Sequence, residues 1–429
     1  MIRRIAAAMG ANSFGMATAI GIQLASLPLF LLHWDTATYG TWLMLSSLPA
    51  YLAMADVGMV TAAGNKMTMA IGRGDTTEAN RVFQSAQVFM AMVCLPLAAV
   101  VLPVVLWAPL PGLTTTDQRL ALTALAAGVL VSLFGGLAEA VFRSTERYAT
   151  GTMIGTLVRL FEWLGSMAAL ALVGSFSAVA LGGLVCRVTG TLAAILLSRR
   201  HSRGLHWGVA AARSAEIRAM AAPALSFMAF PLANAMSFQG MTLLVGALFG
   251  PVAVALFNTY RTIARVAVQV TGLFSHALWP EFSRLFGQGT AAPLRNLFRR
   301  AALLGAAQSV LLSVVLYFLS PWLLQVWSRG TIAFVPSVMA LMLLYAAVAG
   351  LLHIPRVMLM ATNQHVALAQ WSVAAAALSV ALGWTMGVRL QVEGVAGAML
   401  ITELLIALAC FALAHGALGG LRQRASVAA

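Results

Sequence analysis

Runs of about twenty apolar residues follow one another along nearly the whole chain, and each is long enough to cross the hydrocarbon core of a bilayer as a helix. Twelve such runs are read at 7–32, 39–63, 83–107, 119–142, 152–173, 176–198, 222–248, 251–278, 301–325, 334–358, 366–387 and 394–415. The nearly continuous stretch 152–198 is divided at VGSFS, residues 173–177. Of the 429 residues, 61% are hydrophobic and 9% charged, and the mean hydropathy is +0.90. A soluble domain carries about 25% charged residues, and a water-bounded core cannot absorb so much apolar surface. The reading is an all-α polytopic membrane protein with twelve transmembrane helices. The N-terminal stretch opens with two arginines and an apolar run, like a signal peptide, but the run is too long and reads as a retained first span.

The net charge of +14 would suit nucleic acid, but the placement of the charges argues otherwise. With the N-terminus in the cytoplasm, nineteen of the 26 basic residues fall on the cytoplasmic side. Three, Arg119, Arg329 and Arg389, fall outside, and Arg159, Arg187, Arg261 and Arg265 lie within predicted spans. Such asymmetry sets orientation, so both termini are expected in the cytoplasm and no nucleic-acid partner is implied. The largest polar segment, residues 199–223, is cytoplasmic on this reading and divides the chain into two sets of six spans. The expected domains are residues 1–204, a linker at 205–221, and residues 222–429.

The two halves repeat. AIGRGDTTEANRVFQSA at 70–86 and LFGQGTAAPLRNLFRRA at 285–301 share Gly72/Gly287, Gly74/Gly289, Phe83/Phe298 and Ala86/Ala301 at a shift of 215 residues. A shift of 217 aligns RSTERY (143–148) with MATNQH (360–365), and SAVALGG (177–183) with GVAGAML (394–400). Order, sidedness and span number are preserved, which predicts two like-oriented six-helix bundles. The G-x-G at 72–74 lacks a preceding strand and a following GK[ST], so it is no phosphate loop. It reads as a tight connection whose glycines permit the turn, and the RGD within it as accidental.

The segment YGTWLMLSSLPAYLAMADVGMVTAAGNKMTMAIGRGDTTEANRVFQSA (39–86) resembles the second and third spans of the bacterial polysaccharide transporters. These are the lipid-linked O-antigen repeat-unit flippases of the multidrug/oligosaccharidyl-lipid/polysaccharide (MOP) exporter superfamily. SHALWPEFSRLFGQG (275–289) is similar to their eighth-span ending. The resemblance implies two lobes forming a V that open alternately to either side of the bacterial inner membrane. It implies an undecaprenyl-diphosphate-linked oligosaccharide as substrate, and a cationic cleft lined by the first, second, seventh and eighth spans. Membrane lipids and glycan polymerases are expected partners, and without an ATP-binding motif the drive is an ion gradient, of protons or sodium ions, or trapping of product.

Eight charged residues lie within predicted spans: Arg159, Arg187, Arg261, Arg265, Asp56, Glu139, Glu162 and Glu403. At the bilayer centre and facing lipid they would cost roughly 20–28 kcal/mol together, far above a net folding stability. Most therefore face a wet cavity, pair with one another, or reach an interface. Asn258, Arg261, Arg265 and Gln269 fall at i, i+3, i+7 and i+11, one polar stripe on a helix. A stripe without acid suits a diphosphate or an acidic glycan, because guanidinium binds phosphate oxygens through two parallel bonds. Pairing with a carboxylate elsewhere is the structural alternative.

Arg159 and Glu162, three residues apart, are expected to neutralise each other within one helix, unless substrate or a proton breaks the pair. Arg187 and Glu403 hold nearly the same place in the sixth and twelfth spans and read as stabilising their lobes, with substrate binding and ion coupling as the functional alternatives. Asp56, Glu162 and Glu403 are the candidate carriers of a coupling ion. Glu139 reads as reaching the interface. Asn12 and Gln23 in the first span, with Asn234 and Gln239 in the seventh, offer contacts to sugar hydroxyls or bonds between helices.

Pro231 and Pro223 can kink the seventh span and Pro355 the tenth. Trp34, Trp42, Trp107, Trp322, Trp327 and Trp384 lie near predicted outer ends, as an aromatic belt does. Cys94, Cys186 and Cys410 read as apolar fillers. No Walker motif, nucleophile elbow or metal-ligand cluster is present, so no cofactor, metal or catalytic residue is assigned and the chain is not read as an enzyme. The expected function is a lipid-linked oligosaccharide flippase. The alternatives are an ion-coupled multidrug antiporter of the same superfamily and a membrane polymerase or ligase of lipid-linked glycans.

Overall fold

A computed structural model describes residues 2–110, 112–202, 204–278, 281–282, 285–286, 291–362 and 366–427. Regular structure among these residues is entirely helical. In chain order the helices are α1 (Ile2–Phe30), α2 (Thr36–Ser47), a 3-10 helix (Pro49–Asp56), α3 (Met59–Gly72), α4 (Thr76–Trp107), α5 (Thr116–Ser144), α6 (Tyr148–Leu172) and α7 (Phe176–His201). There follow α8 (Ser214–Ala235), a π-turn (Met236–Gly240), α9 (Met241–Ala277), α10 (Ala291–Trp327), α11 (Pro336–Ala361) and α12 (Val366–Val427). Ten stretches are long and apolar enough to cross a bilayer, and the chain is a multi-pass membrane protein.

The expected run at 39–63 is one of the differences. It extends over Thr36–Gly72 and is broken in its middle by the 3-10 helix. Pro49 has no N–H to donate to the preceding turn. At the other end Val57 (φ 48°) and Gly58 (φ 74°) both take left-handed conformations. For a β-branched residue this is costly. Two other apolar stretches contain a single non-helical residue each, Gly250 (φ 80°) inside α9 and Gln391 (φ 54°) inside α12.

The 72–75 connection is a tight turn, with Gly74 at φ 79° and the Asp75 N–H donating to the Ala70 carbonyl at 3.0 Å. The RGD triplet is consumed locally. Arg73 pairs with Glu78 at 2.7 Å, and the Asp75 carboxylate caps α4 by accepting from the Glu78 N–H at 2.7 Å. The matching glycines Gly287 and Gly289 lie outside the described residues, as do Arg203, Arg284, residues 363–365 of the second match, and the Pro223 side chain.

The chain divides into two compact units. The first comprises residues 1–35 and 45–228, the second residues 36–44 and 229–429. In the first unit α7 packs on α5 and α6, and α1 on α6. Small residues let these backbones approach: a Cβ built on Gly165 or on Gly182 would lie 2.5 Å from the carbonyl oxygen of the other. Asp117 of α5 accepts the Phe176 and Ser177 N–H groups, satisfying the first turn of α7. Trp34, expected in an interfacial belt, is instead 8% exposed, and its indole N–H donates to the Gly174 carbonyl at 2.6 Å. Trp42 is likewise 8% exposed, whereas Trp107, Trp322 and Trp384 are exposed.

Residues 204–213 form a strap stitched to α4. Gln84 donates to the His206 carbonyl at 3.0 Å and accepts from the Ala211 N–H at 2.6 Å. Asn80 accepts from the His206 N–H, Gln87 from the Gly208 N–H and Ser85 from the Arg213 N–H. Trp207 lies edge-on to Phe83 with ring centres 5.1 Å apart. Lys66 of α3 then pairs with Glu216 of α8 at 2.5 Å.

In the second unit α11 is the most buried helix of the bundle, packed between α9, α10 and α12. A Cβ on Gly350 would run into the Ser309 hydroxyl, so α10 and α11 touch there. The fully buried Tyr260 of α9 donates to the Ala333 carbonyl at 2.5 Å and accepts from the Val335 N–H at 2.6 Å, which ties down the segment leading into α11.

Candidate functional site

Each unit holds its own group of charged side chains. In the first unit, α5, α6 and α7 enclose a cavity of about 230 Å³ lined by Glu139, Arg159, Arg187 and Thr191 among others. Glu162 of α6 forms its ion pair with Arg187 of α7. The expected pairing with Arg159 is thereby corrected. Helical geometry alone would place Arg159 and Glu162 near each other, but α7 packs against the Glu162 side of α6 and brings a second guanidinium closer. Gly183 helps the two helices approach, because a Cβ there would lie 2.5 Å from the Ser166 hydroxyl on α6. Arg159 is exposed and faces the cavity, and the Arg187 Nε has no hydrogen-bond partner among the described residues. Glu139 is exposed and lines this cavity with the two arginines.

Asp56 ends the 3-10 helix, half-buried, and its Oδ1 accepts from the Gly58 N–H at 3.0 Å. Its carboxylate thus satisfies a backbone donor at the interruption of an apolar stretch. Asn12 of α1 is exposed and accepts from the Tyr148 hydroxyl at 3.3 Å.

The second unit contains the stripe on α9. Asn258, Arg261, Arg265 and Gln269 share the expected face, but the structure gives them different surroundings. Arg261 is 6% exposed. One terminal nitrogen donates to the Phe238 carbonyl at 2.8 Å, the other to the Thr242 hydroxyl at 2.8 Å and to Asn258. Its guanidinium also lies over the Phe238 ring at 5.0 Å and the Phe257 ring at 5.2 Å. Arg265 is exposed and stacks on the same Phe238 ring at 4.8 Å. Among the described residues, neither arginine forms an ion pair with a carboxylate.

The π-turn Met236–Gly240 was not legible in the sequence. It carries Phe238, whose carbonyl and ring serve both arginines. The wider turn changes the register of the helix by one residue, a feature frequent at functional positions. Asn234, just before it, is exposed, and Gln269 is half-buried. Behind the arginines, Tyr345 of α11 lies within electrostatic reach of Arg261, Arg265, Arg356 and Glu403. Glu403 of α12 is half-buried, and Arg356 stacks on Phe230 at 5.3 Å. No group of three His, Cys, Asp or Glu side chains able to hold a metal occurs among the described residues.

No family model matches the chain, and no curated protein matches it significantly. Solved structures do. An inward-facing multidrug resistance MATE family transporter of the MOP superfamily superposes with a TM-score of 0.80 at 12% identity, over 97% of this chain and 99% of that one. The fold is MATE-like. An outward-facing multidrug resistance MATE transporter superposes with a TM-score of 0.67 at 12% identity, over 97% of each chain. A MOP superfamily transporter from Pyrococcus furiosus, described as having a binding pocket of reverse polarity suggestive of a different function, gives 0.68 at 12% identity, over 98% of this chain and 96% of that one.

Proposed function

We propose that this protein is a non-enzymatic exporter of an anionic, lipid-linked glycan, moving an undecaprenyl-diphosphate-linked oligosaccharide across the bacterial inner membrane by alternating access. The observation that carries the reading is the pair Arg261 and Arg265 on one face of α9. Both cations share the Phe238 ring, and no carboxylate among the described residues neutralises either. Two uncompensated guanidiniums in an apolar helix attract a diphosphate and repel a lipophilic cation. Arg265, being exposed, makes the contact, while Arg261 holds the aromatic ring and the π-turn in place. Glu162, Glu403 and Asp56 are the carriers of a coupling proton or sodium ion in this proposal. Twelve spans in two like-oriented sets of six, with both termini cytoplasmic, belong to the same reading. The breaks at Gly250 and Gln391 support it, since each divides a long apolar stretch in two.

A multidrug antiporter is the second reading, favoured by the likeness to multidrug resistance MATE transporters. Binding to the purified protein separates the two. Saturable binding of a diphosphate-linked glycan, lost in Arg265→Gln, supports the glycan exporter. Saturable binding of a lipophilic cation, with none of the glycan, would establish the alternative.

A further inference from the structure

A groove of about 620 Å³ runs between α10, α11 and α12 of the second unit, away from the stripe on α9. Its two ends differ chemically. Arg295 and Arg299 edge it at one end, beside His415, while Ala302, Ala306 and Phe411 are among the residues that form its apolar length. On α10 the positions 295, 299, 302 and 306 are i, i+4, i+7 and i+11, a single helical face. That face changes from cationic to small and apolar over seven residues, roughly 10 Å of helix. This is the span from the headgroup to the upper part of an acyl chain. The alanines keep the groove open, since larger side chains there would fill it.

Among the described residues, no carboxylate balances the charges at this edge. No acidic side chain lines the groove, and neither arginine has an ion-pair partner among the described residues. Paired guanidiniums at a membrane boundary bind phosphate oxygens strongly. A zwitterionic headgroup would bring an ammonium that finds no carboxylate here and is repelled by both arginines. A free phosphate would leave the apolar length uncovered.

We infer that this groove is a binding site for an anionic glycerophospholipid, its phosphate held by Arg295 and Arg299 and one acyl chain lying along Ala302, Ala306 and Phe411. The site is independent of the transported cargo.

Bimane attached at Leu303→Cys, a groove-lining and largely exposed position, reports the occupant directly. The protein carries Cys186→Ser, because Cys94 and Cys410 are buried and Cys186 is not. In nanodiscs, a few mole per cent of phosphatidylglycerol with brominated acyl chains is expected to quench the label several-fold more than brominated phosphatidylcholine. Arg295→Gln combined with Arg299→Gln is expected to bring the two lipids to parity, and Ala306→Trp to weaken quenching with the arginines intact. Equal quenching by both lipids in the parent protein would overturn the assignment. So would a preference that survives the double arginine substitution or survives Ala306→Trp in full. Relief of quenching by undecaprenyl phosphate at concentrations well below those of unbrominated phosphatidylglycerol would overturn the choice of a glycerophospholipid.

Discussion

Glu162 of α6 pairs with Arg187 of α7, and Arg159, one turn before Glu162, is left facing the cavity beside Glu139. An ion pair between helices ties their packing together, and a partly buried charge that loses its partner is destabilising. Both side chains are about a quarter exposed, which moderates the effect.

Arg187→Gln should lower the thermal midpoint of the purified protein, while Glu162→Gln with Arg187→Gln should recover much of the loss. A double-mutant cycle should give a coupling of about 0.5–3 kcal/mol. Arg159→Gln should leave the midpoint nearly unchanged, and an equal fall for Arg159→Gln would show that the pair is not the stabilising element.

Arg261 and Arg265 should separate by phenotype. Arg261→Lys should reduce folded yield, because an ammonium cannot meet three acceptors and two rings at once. Arg265→Lys should leave yield intact and weaken binding of a diphosphate-linked glycan about ten-fold or more. A variant of Arg265 with normal glycan affinity and export would remove it from the mechanism.

The strap at 204–213 is held chiefly by Gln84, which serves two backbone groups of the strap. Gln84→Leu should free the segment, leaving the His206 carbonyl and the Ala211 N–H without their partners. Limited trypsin digestion should then cut at Arg213 several-fold faster than in the parent protein. Equal rates would mean that the neighbouring bonds from Asn80, Ser85 and Gln87 suffice.

Asp56 should tolerate loss of charge better than loss of its oxygen. Asp56→Asn keeps the acceptor for the Gly58 N–H and should preserve the thermal midpoint, whereas Asp56→Ala should cost about 1 kcal/mol, the worth of one hydrogen bond. If Asp56 carries a coupling ion, Asp56→Asn should still abolish gradient-driven uptake into proteoliposomes. Full uptake by Asp56→Asn would confine the residue to its hydrogen bond with the Gly58 N–H.

Apolar run length by itself determined that the chain lives in a bilayer and is helical, because a lipid-facing backbone has to satisfy its own hydrogen bonds. Local chemistry was equally legible at the 72–75 turn, where Gly74 and Asp75 act within a few residues of themselves, and in the face shared by Arg261 and Arg265. What tertiary structure alone decided was the partner of each charge. Glu162 meets Arg187 rather than Arg159 because small residues let α7 lie against α6, twenty-five residues away in sequence. Arg261 is enclosed because a π-turn twenty-three residues earlier brings both the carbonyl and the ring of Phe238 onto it, while Arg265 meets only the ring and stays exposed. Helical periodicity specifies which side chains share a face, but the environment of that face is set by the neighbouring helix and by how closely the two backbones can pack.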